Sequence, residues 1–151
     1  MNYSGIIFND TANGEGFRTT LFVSGCSLGC KGCHNKEQQD FNYGTPYTEE
    51  TEWTILNSLT PPYIDGLTLS GGHPLEPQNI EVVTELCRKV KTMLPHKTIW
   101  LYTGFNYEDI KDFEIIKYVD VVVDGSFEIE LQDPALALRG SSNQRIIKFE
   151  K

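Results

Sequence analysis

The stretch Thr19-Thr20-Leu21-Phe22-Val23-Ser24-Gly25-Cys26-Ser27-Leu28-Gly29-Cys30-Lys31-Gly32-Cys33-His34 starts as a short apolar run and breaks into a glycine-punctuated loop. A run of this kind reads as a strand, here Thr19 to Ser24, and the loop leaves from its C-terminal end. In open α/β sheets that end is where ligands collect. Three of the chain's four cysteines fall in this loop, spaced C-x3-C-x2-C. The chemistry is expected there, and the rest of the sequence reads as the frame that carries it.

Downstream, Thr48 can cap a helix running to about Leu59, with Trp53, Leu56 and Leu59 on one side and Pro61-Pro62 as its stop. Leu67 to Ser70 reads as a second strand ending in Gly71-Gly72-His73-Pro74, where two glycines let a ligand approach the backbone closely. Ile80, Val83, Leu86, Cys87, Val90 and Leu94 recur at helical spacing between Pro77 and Pro95. Thr98 to Tyr102 gives a third strand, Asn106 to Lys117 a third amphipathic helix, and Val119 to Val123 a fourth strand ending in Asp124-Gly125. Upstream, Asn13-Gly14-Glu15-Gly16 is a turn-forming cluster, either set against the cysteine loop or a substrate or, as composition alone favours, a surface turn. Short β-branched runs alternating with amphipathic helices are the pattern of a parallel α/β layer. With no repeat, low-complexity tract or linker, the 151 residues make one domain, large enough for a core without disulfide staples.

The formal charge of -8 argues against broad binding to nucleic acid or to an anionic membrane, because phosphate binding wants the opposite sign. No apolar run is long enough to span a bilayer and Met1-Asn2-Tyr3 does not begin a signal sequence, so a cytoplasmic protein is expected. In that reducing compartment clustered cysteines read as metal ligands or redox groups.

Structural zinc needs four ligands, commonly two C-x2-C knuckles, and only one exists here. His34 follows Cys33 directly and cannot readily reach the same tetrahedron. Three thiolates, Cys26, Cys30 and Cys33, fit a cluster of four irons better, with the fourth iron open to a small molecule. Such an iron can chelate the amino and carboxylate groups of S-adenosylmethionine and pass an electron to its sulfonium, giving a 5'-deoxyadenosyl radical. Elsewhere plainer readings hold. Cys87 is a small buried hydrophobe, His96 a surface cap, and Trp53 and Trp100 are core or partner-facing.

The cysteine spacing after a strand resembles the signature of the radical S-adenosylmethionine superfamily. The opening Asn13-Gly14-Glu15-Gly16-Phe17-Arg18-Thr19-Thr20-Leu21-Phe22-Val23-Ser24-Gly25-Cys26 resembles that of the family that activates the anaerobic ribonucleoside-triphosphate reductase. Leu69-Ser70-Gly71-Gly72, Tyr102-Thr103-Gly104, Val123-Asp124-Gly125 and Arg139-Gly140-Ser141-Ser142-Asn143-Gln144 resemble its later motifs in the same order.

The resemblance implies an enzyme with a 4Fe-4S cluster and S-adenosylmethionine as cofactors. It would make a glycyl radical in the reductase's large subunit, its protein partner. By the same resemblance Cys26, Cys30 and Cys33 ligate the cluster, Gly32, Cys33 and His34 line the cofactor site, and Ser70, Gly71, Gly72 and Thr103 meet the cofactor. Arg139, Gly140, Ser141, Ser142, Asn143 and Gln144 either form a solvated turn or face the partner. A reduced flavodoxin or ferredoxin is the expected donor, docking on a local basic surface despite the acidic net charge. The expected fold is an incomplete barrel-like parallel sheet of about five to six strands with helices on its outer face, since the length excludes a full eight-stranded barrel.

One departure stands out: the residue after the glycine pair is usually acidic in the superfamily, and here it is His73. A protonated imidazole repels the cofactor's ammonium, so weaker or more pH-sensitive cofactor binding is expected unless backbone contacts dominate with His73 facing solvent. Two other functions stay open. One is a radical enzyme acting on a small molecule or a different glycyl-radical protein; the other is a non-catalytic module that uses the cysteines to hold zinc.

Overall fold

The computed structural model describes residues 1–27, 39–125, 128–133, 138–139 and 141–149. Seven strands form one sheet: β1 (Asn2–Asp10), β2 (Arg18–Val23), β3 (Thr45–Pro46), β4 (Gly66–Gly71), β5 (Thr98–Tyr102), β6 (Val121–Asp124) and β7 (Arg145–Lys148). They lie in the order β3-β1-β2-β4-β5-β6-β7. The helices are α1 (Glu49–Ser58), α2 (Ile80–Met93) and the single turn α3 (Tyr107–Ile110), with 3-10 turns at Glu114–Lys117 and Ile129–Leu131.

The inner four strands, β2, β4, β5 and β6, are parallel neighbours in chain order. Right-handed crossovers between strands that advance in one direction all fall on the same face. The core agrees, because Leu21, Val23, Leu67, Leu69, Ile99, Leu101 and Val122 pack with Ile55, Leu56 and Leu59 near α1 and Val83, Leu86, Cys87 and Val90 of α2. Since side chains alternate along a strand, the intervening residues face the other way. That face carries Arg18, Thr20, Thr68 and a small cluster of Trp100, Val121 and Val123. One face of the sheet is thus roofed by helices, as expected.

The expected sheet of five or six parallel strands is corrected in number and direction. Among the described residues there are seven strands, and β1, β3 and β7 pair antiparallel at the two edges. β1 escaped notice because two register shifts break its alternation. It also leaves Ile7 and Phe8 half exposed, so no apolar face is legible.

Helix α1 starts where Thr48 accepts a hydrogen bond from the Thr51 N–H, in a reciprocal capping box. Leu56 and Leu59 of the expected side are buried together with Ile55, but Trp53 is not part of that side and is 48% exposed. The helix expected over Asn106–Lys117 is also corrected. Ile110 and Ile115 are both buried but five apart, too far round one helix to share a face, and an extended Phe113 (φ -66°, ψ 142°) divides the segment. Cys87 is fully buried, and burial pushes its thiol pKa up, which fits the structural reading.

Candidate functional site

Cys26 leaves the C-terminal end of β2, and the chain on both sides of the cysteine loop is pinned. The Ser24 N–H donates to the Asn2 carbonyl (3.0 Å), and the Cys26 N–H donates to the Gln39 carbonyl (3.1 Å). The Ser24 hydroxyl donates to the Tyr43 carbonyl (2.6 Å). Cys26 itself is half-buried. Cys30, Cys33, Gly32 and His34 lie outside the described residues.

The end of β4 is built against the same place. Gly71 has φ +102°, and a Cβ there would lie 2.4 Å from the Val23 backbone nitrogen, so only glycine lets β4 finish against β2. The Gly72 N–H donates to the Val23 carbonyl (2.8 Å) and the His73 N–H to the Gly25 carbonyl (2.8 Å). Both N–H groups are thus spent inside the protein. Ser70, one residue before Gly71, is half-buried.

Pro74 to Asn79 turns back over this join. Asn79, 1% exposed, donates from Nδ2 to the carbonyls of Ser24 (3.0 Å) and His73 (3.1 Å). Glu76, 4% exposed, accepts the Ser27 N–H (2.8 Å) and the Ser27 hydroxyl (2.8 Å) on Oε1. Neither residue was singled out from the sequence. The available signal was a polar group of three, Glu76, Gln78 and Asn79, just before α2, which does not by itself single out two of them.

His73 is buried rather than solvent-facing. Its Nδ1 lies 3.3 Å from Glu76 Oε1 and its Nε2 2.7 Å from Thr103 Oγ1. A carboxylate only accepts, so Nδ1 carries the proton. Nε2 then accepts from the Thr103 hydroxyl and, at 3.4 Å, from the Gly104 N–H. Burial lowers the His73 pKa, with Glu76 partly opposing it, and the ring is neutral. Burial pushes the Glu76 carboxyl up, but the Ser27 and His73 hydrogen bonds outweigh it and hold the pKa below the usual value. Thr103 thus joins the ends of β4 and β5 through one imidazole.

The tail segment is more ordered than a solvated turn. Ser141 is fully buried, its hydroxyl donates to Asn143 Oδ1 (2.6 Å), and its N–H donates to Gln144 Oε1 (3.1 Å). Gln144 Nε2 donates to the Gly125 carbonyl (3.0 Å), and Arg139 Nη1 to the Gln144 carbonyl (2.8 Å). Ser142 donates its N–H to the Leu131 carbonyl (2.9 Å). Gly140 lies outside the described residues. This knot fastens β7 to the end of β6, the sheet end shared with Cys26 and His73.

A family model described as a 4Fe-4S single cluster domain matches residues 12–147. The anaerobic ribonucleoside-triphosphate reductase-activating protein of Pasteurella multocida (strain Pm70) is 43% identical over 155 residues, covering 99% of this chain and 98% of that protein. The protein of that name from Enterobacteria phage T4 is 46% identical over 146 residues, covering 97% and 93%. That from Escherichia coli (strain K12) is 41% identical over 148 residues, covering 95% and 96%. The chain belongs to the family of anaerobic ribonucleoside-triphosphate reductase-activating proteins.

For an activating protein of this family, the matched span includes the turn before β2, all four parallel strands and the three clustered cysteines. The donor set suits an iron–sulfur cluster, being all thiolate and borne on a loop whose base is hydrogen-bonded at Cys26. A buried carboxylate, Glu76, is hydrogen-bonded to Ser27, the residue after Cys26, through one of its two oxygens among the described residues.

Proposed function

We propose that this chain is the activating enzyme that places a glycyl radical on the large subunit of the anaerobic ribonucleoside-triphosphate reductase. The carrying observation is the join of Ser24–Ser27 to Gly71–Asn79, which sets Cys26 beside a glycine turn and a buried carboxylate at one end of the parallel strands. A 4Fe-4S cluster held by Cys26, Cys30 and Cys33, with S-adenosylmethionine, supplies one-electron cleavage to a radical able to take hydrogen from a glycine.

The chain's own residues then have distinct tasks. Gly32, Cys33 and His34 flank the cofactor on the cluster side, while Ser70 and the Gly71-Gly72 turn meet it through carbonyl groups. His73 and Thr103 hold the turn's far wall in one geometry, with a neutral ring at physiological pH. The open sheet is proposed to curve as a partial barrel, whose side without helices admits the glycine-bearing segment of the reductase. Arg139 to Gln144, at that same end, is the proposed partner-facing segment, ordered in advance by its internal hydrogen bonds. A reduced flavodoxin or ferredoxin is the proposed donor, and the cytoplasm the proposed compartment, with no nucleic-acid or membrane role. No helix among the described residues is long and apolar enough to cross a membrane.

The test is anaerobic. The reconstituted, reduced chain is given S-adenosylmethionine with and without the reductase large subunit, and 5'-deoxyadenosine and the EPR signal are followed. A glycyl radical that appears only with the large subunit, and is lost in Cys30→Ala, is the expected result. Nucleoside release with a radical-free reductase overturns the partner, and a colourless zinc-loaded protein overturns the enzyme.

A further inference from the structure

Glu76 is an anion in a place where an anion is costly. It is 4% exposed, and among the described residues its charge faces no lysine or arginine, only the imidazole of His73. That imidazole is the neutral Nδ1–H form, as argued above from its partners. Buried carboxylates are ordinarily paired with a cation or hydrogen-bonded on both oxygens. Here every hydrogen bond converges on Oε1, from the Ser27 N–H, the Ser27 hydroxyl and His73 Nδ1. Oε2 carries none among the described residues. Among the described residues, then, one carboxylate oxygen is held fast by Ser27, the residue after Cys26, and the second has no hydrogen bond.

His73 is not available for the same task. Both its ring nitrogens are engaged, one as donor to Glu76 and the other as acceptor from Thr103 and Gly104. A cationic amino group arriving here finds no lone pair on the imidazole, and finds Oε2 of Glu76 open.

We propose that Glu76, through Oε2, receives the amino group of the amino-acid end of the bound cofactor, with His73 acting as the wedge that holds the carboxylate in place. This rests on the function proposed above, because it presumes a ligand with an α-amino group beside Cys26. It also gives the buried charge a cation that the described residues do not supply, and it assigns amino-acid recognition to a residue four positions beyond the glycine pair.

The test separates recognition from support. Iron-loaded chain is titrated anaerobically with S-adenosylhomocysteine and with its desamino analogue by calorimetry. Iron content is measured for wild type, Glu76→Gln and Ser27→Ala. The Gln amide keeps an oxygen for Ser27 but offers an N–H₂ where the amino group needs an acceptor. Wild type should prefer the amino-bearing ligand roughly tenfold to a hundredfold, the scale of a charge-assisted hydrogen bond. Glu76→Gln should lose that preference while binding the desamino ligand as wild type does, and Ser27→Ala should keep the preference. Equal weakening of both ligands in Glu76→Gln, or loss of its iron, makes Glu76 a loop-supporting residue and overturns the proposal. A preference unchanged in Glu76→Gln overturns it as well. If wild type binds neither ligand, the adenosylmethionine function itself falls, a result distinct from the others.

Discussion

At the scale of single residues, the join between β2 and β4 rests on atoms that tolerate little change. Gly71→Ala sets a Cβ 2.4 Å from the Val23 nitrogen in a left-handed conformation, and neither strand end can retreat without breaking the pairing. It should cost about 2–4 kcal/mol or abolish folding, read as a lower urea midpoint; an unchanged midpoint would refute the close approach. His73 gives a pH signature. Its pKa is lowered by burial from the ordinary 6.5, so below that value the unfolded chain binds the extra proton and the folded chain does not. Its stabilising effect is complete above pH 6.5 and is lost as pH falls toward the folded pKa, at a slope of at most about 1.4 kcal/mol per pH unit. The groups facing the ring are Glu76, Thr103 and Phe105, and of these only Glu76 ionises, at lower pH. Wild type should therefore lose more unfolding free energy than His73→Gln between pH 7 and pH 5.5, and parallel profiles would mean the ring titrates freely. The glycine pair was legible in the sequence because it ends a strand. Glu76 and Asn79 were not, because their importance is a matter of which carbonyls and N–H groups the fold leaves unsatisfied nearby.

At the scale of elements, the strands and helices read best were those buried on both sides or amphipathic. β5 was expected at its observed limits, and α2 came within a residue, because six apolar positions recur at helical spacing between two prolines. Residues 106–117 misled because their apolar positions satisfy a helix on paper while two short turns bury Ile110 and Ile115 better. Arg18 is another element-level device hidden from pattern reading. Buried at the start of β2, it donates to Thr68 Oγ1 (2.8 Å) in β4, to the Leu67 carbonyl (2.9 Å), and to Thr98 Oγ1 (2.9 Å) and the Thr98 carbonyl (2.8 Å) at the start of β5. Burial pushes its pKa down to about 10, opposed by Asp65 and Asp120, so it stays charged at neutral pH. One side chain thus ties three parallel strands at the end opposite the cysteine loop. Arg18→Met keeps the bulk but strands the oxygens, and should cost roughly 3 kcal/mol in urea unfolding. A loss below about 1 kcal/mol would mean that water replaces the guanidinium.

At the scale of the whole molecule, the parallel centre was legible and the antiparallel margins were not, for one reason: β1, β3 and β7 answer to their neighbours rather than to an apolar code of their own. The amino-terminal strand also reaches the site. The Asn2 carbonyl accepts the Ser24 N–H, the Met1 carbonyl accepts the Tyr47 N–H (2.9 Å), and Asn2 Nδ2 donates to the Asn42 carbonyl (3.2 Å). Gly44 sits so near the Tyr3 backbone that a Cβ would lie 2.1 Å from its carbonyl oxygen. The first three residues therefore hold the chain entering the cysteine loop at Ser24 together with the chain leaving it at 42–47. Met1 and Tyr3 also pack against the main core, but the pairing of β2, β4, β5 and β6 does not involve them. Replacing Met1-Asn2-Tyr3 by a single Met should leave hydrogen-exchange protection in β4, β5 and β6 intact and lower the iron retained after anaerobic gel filtration severalfold, because the loop's stems lose their common strap. Equal iron retention would show that the Cys26 to Gln39 bond closes the loop unaided. Collapse of protection across the whole sheet would show that β1 belongs to the folding core rather than to the site.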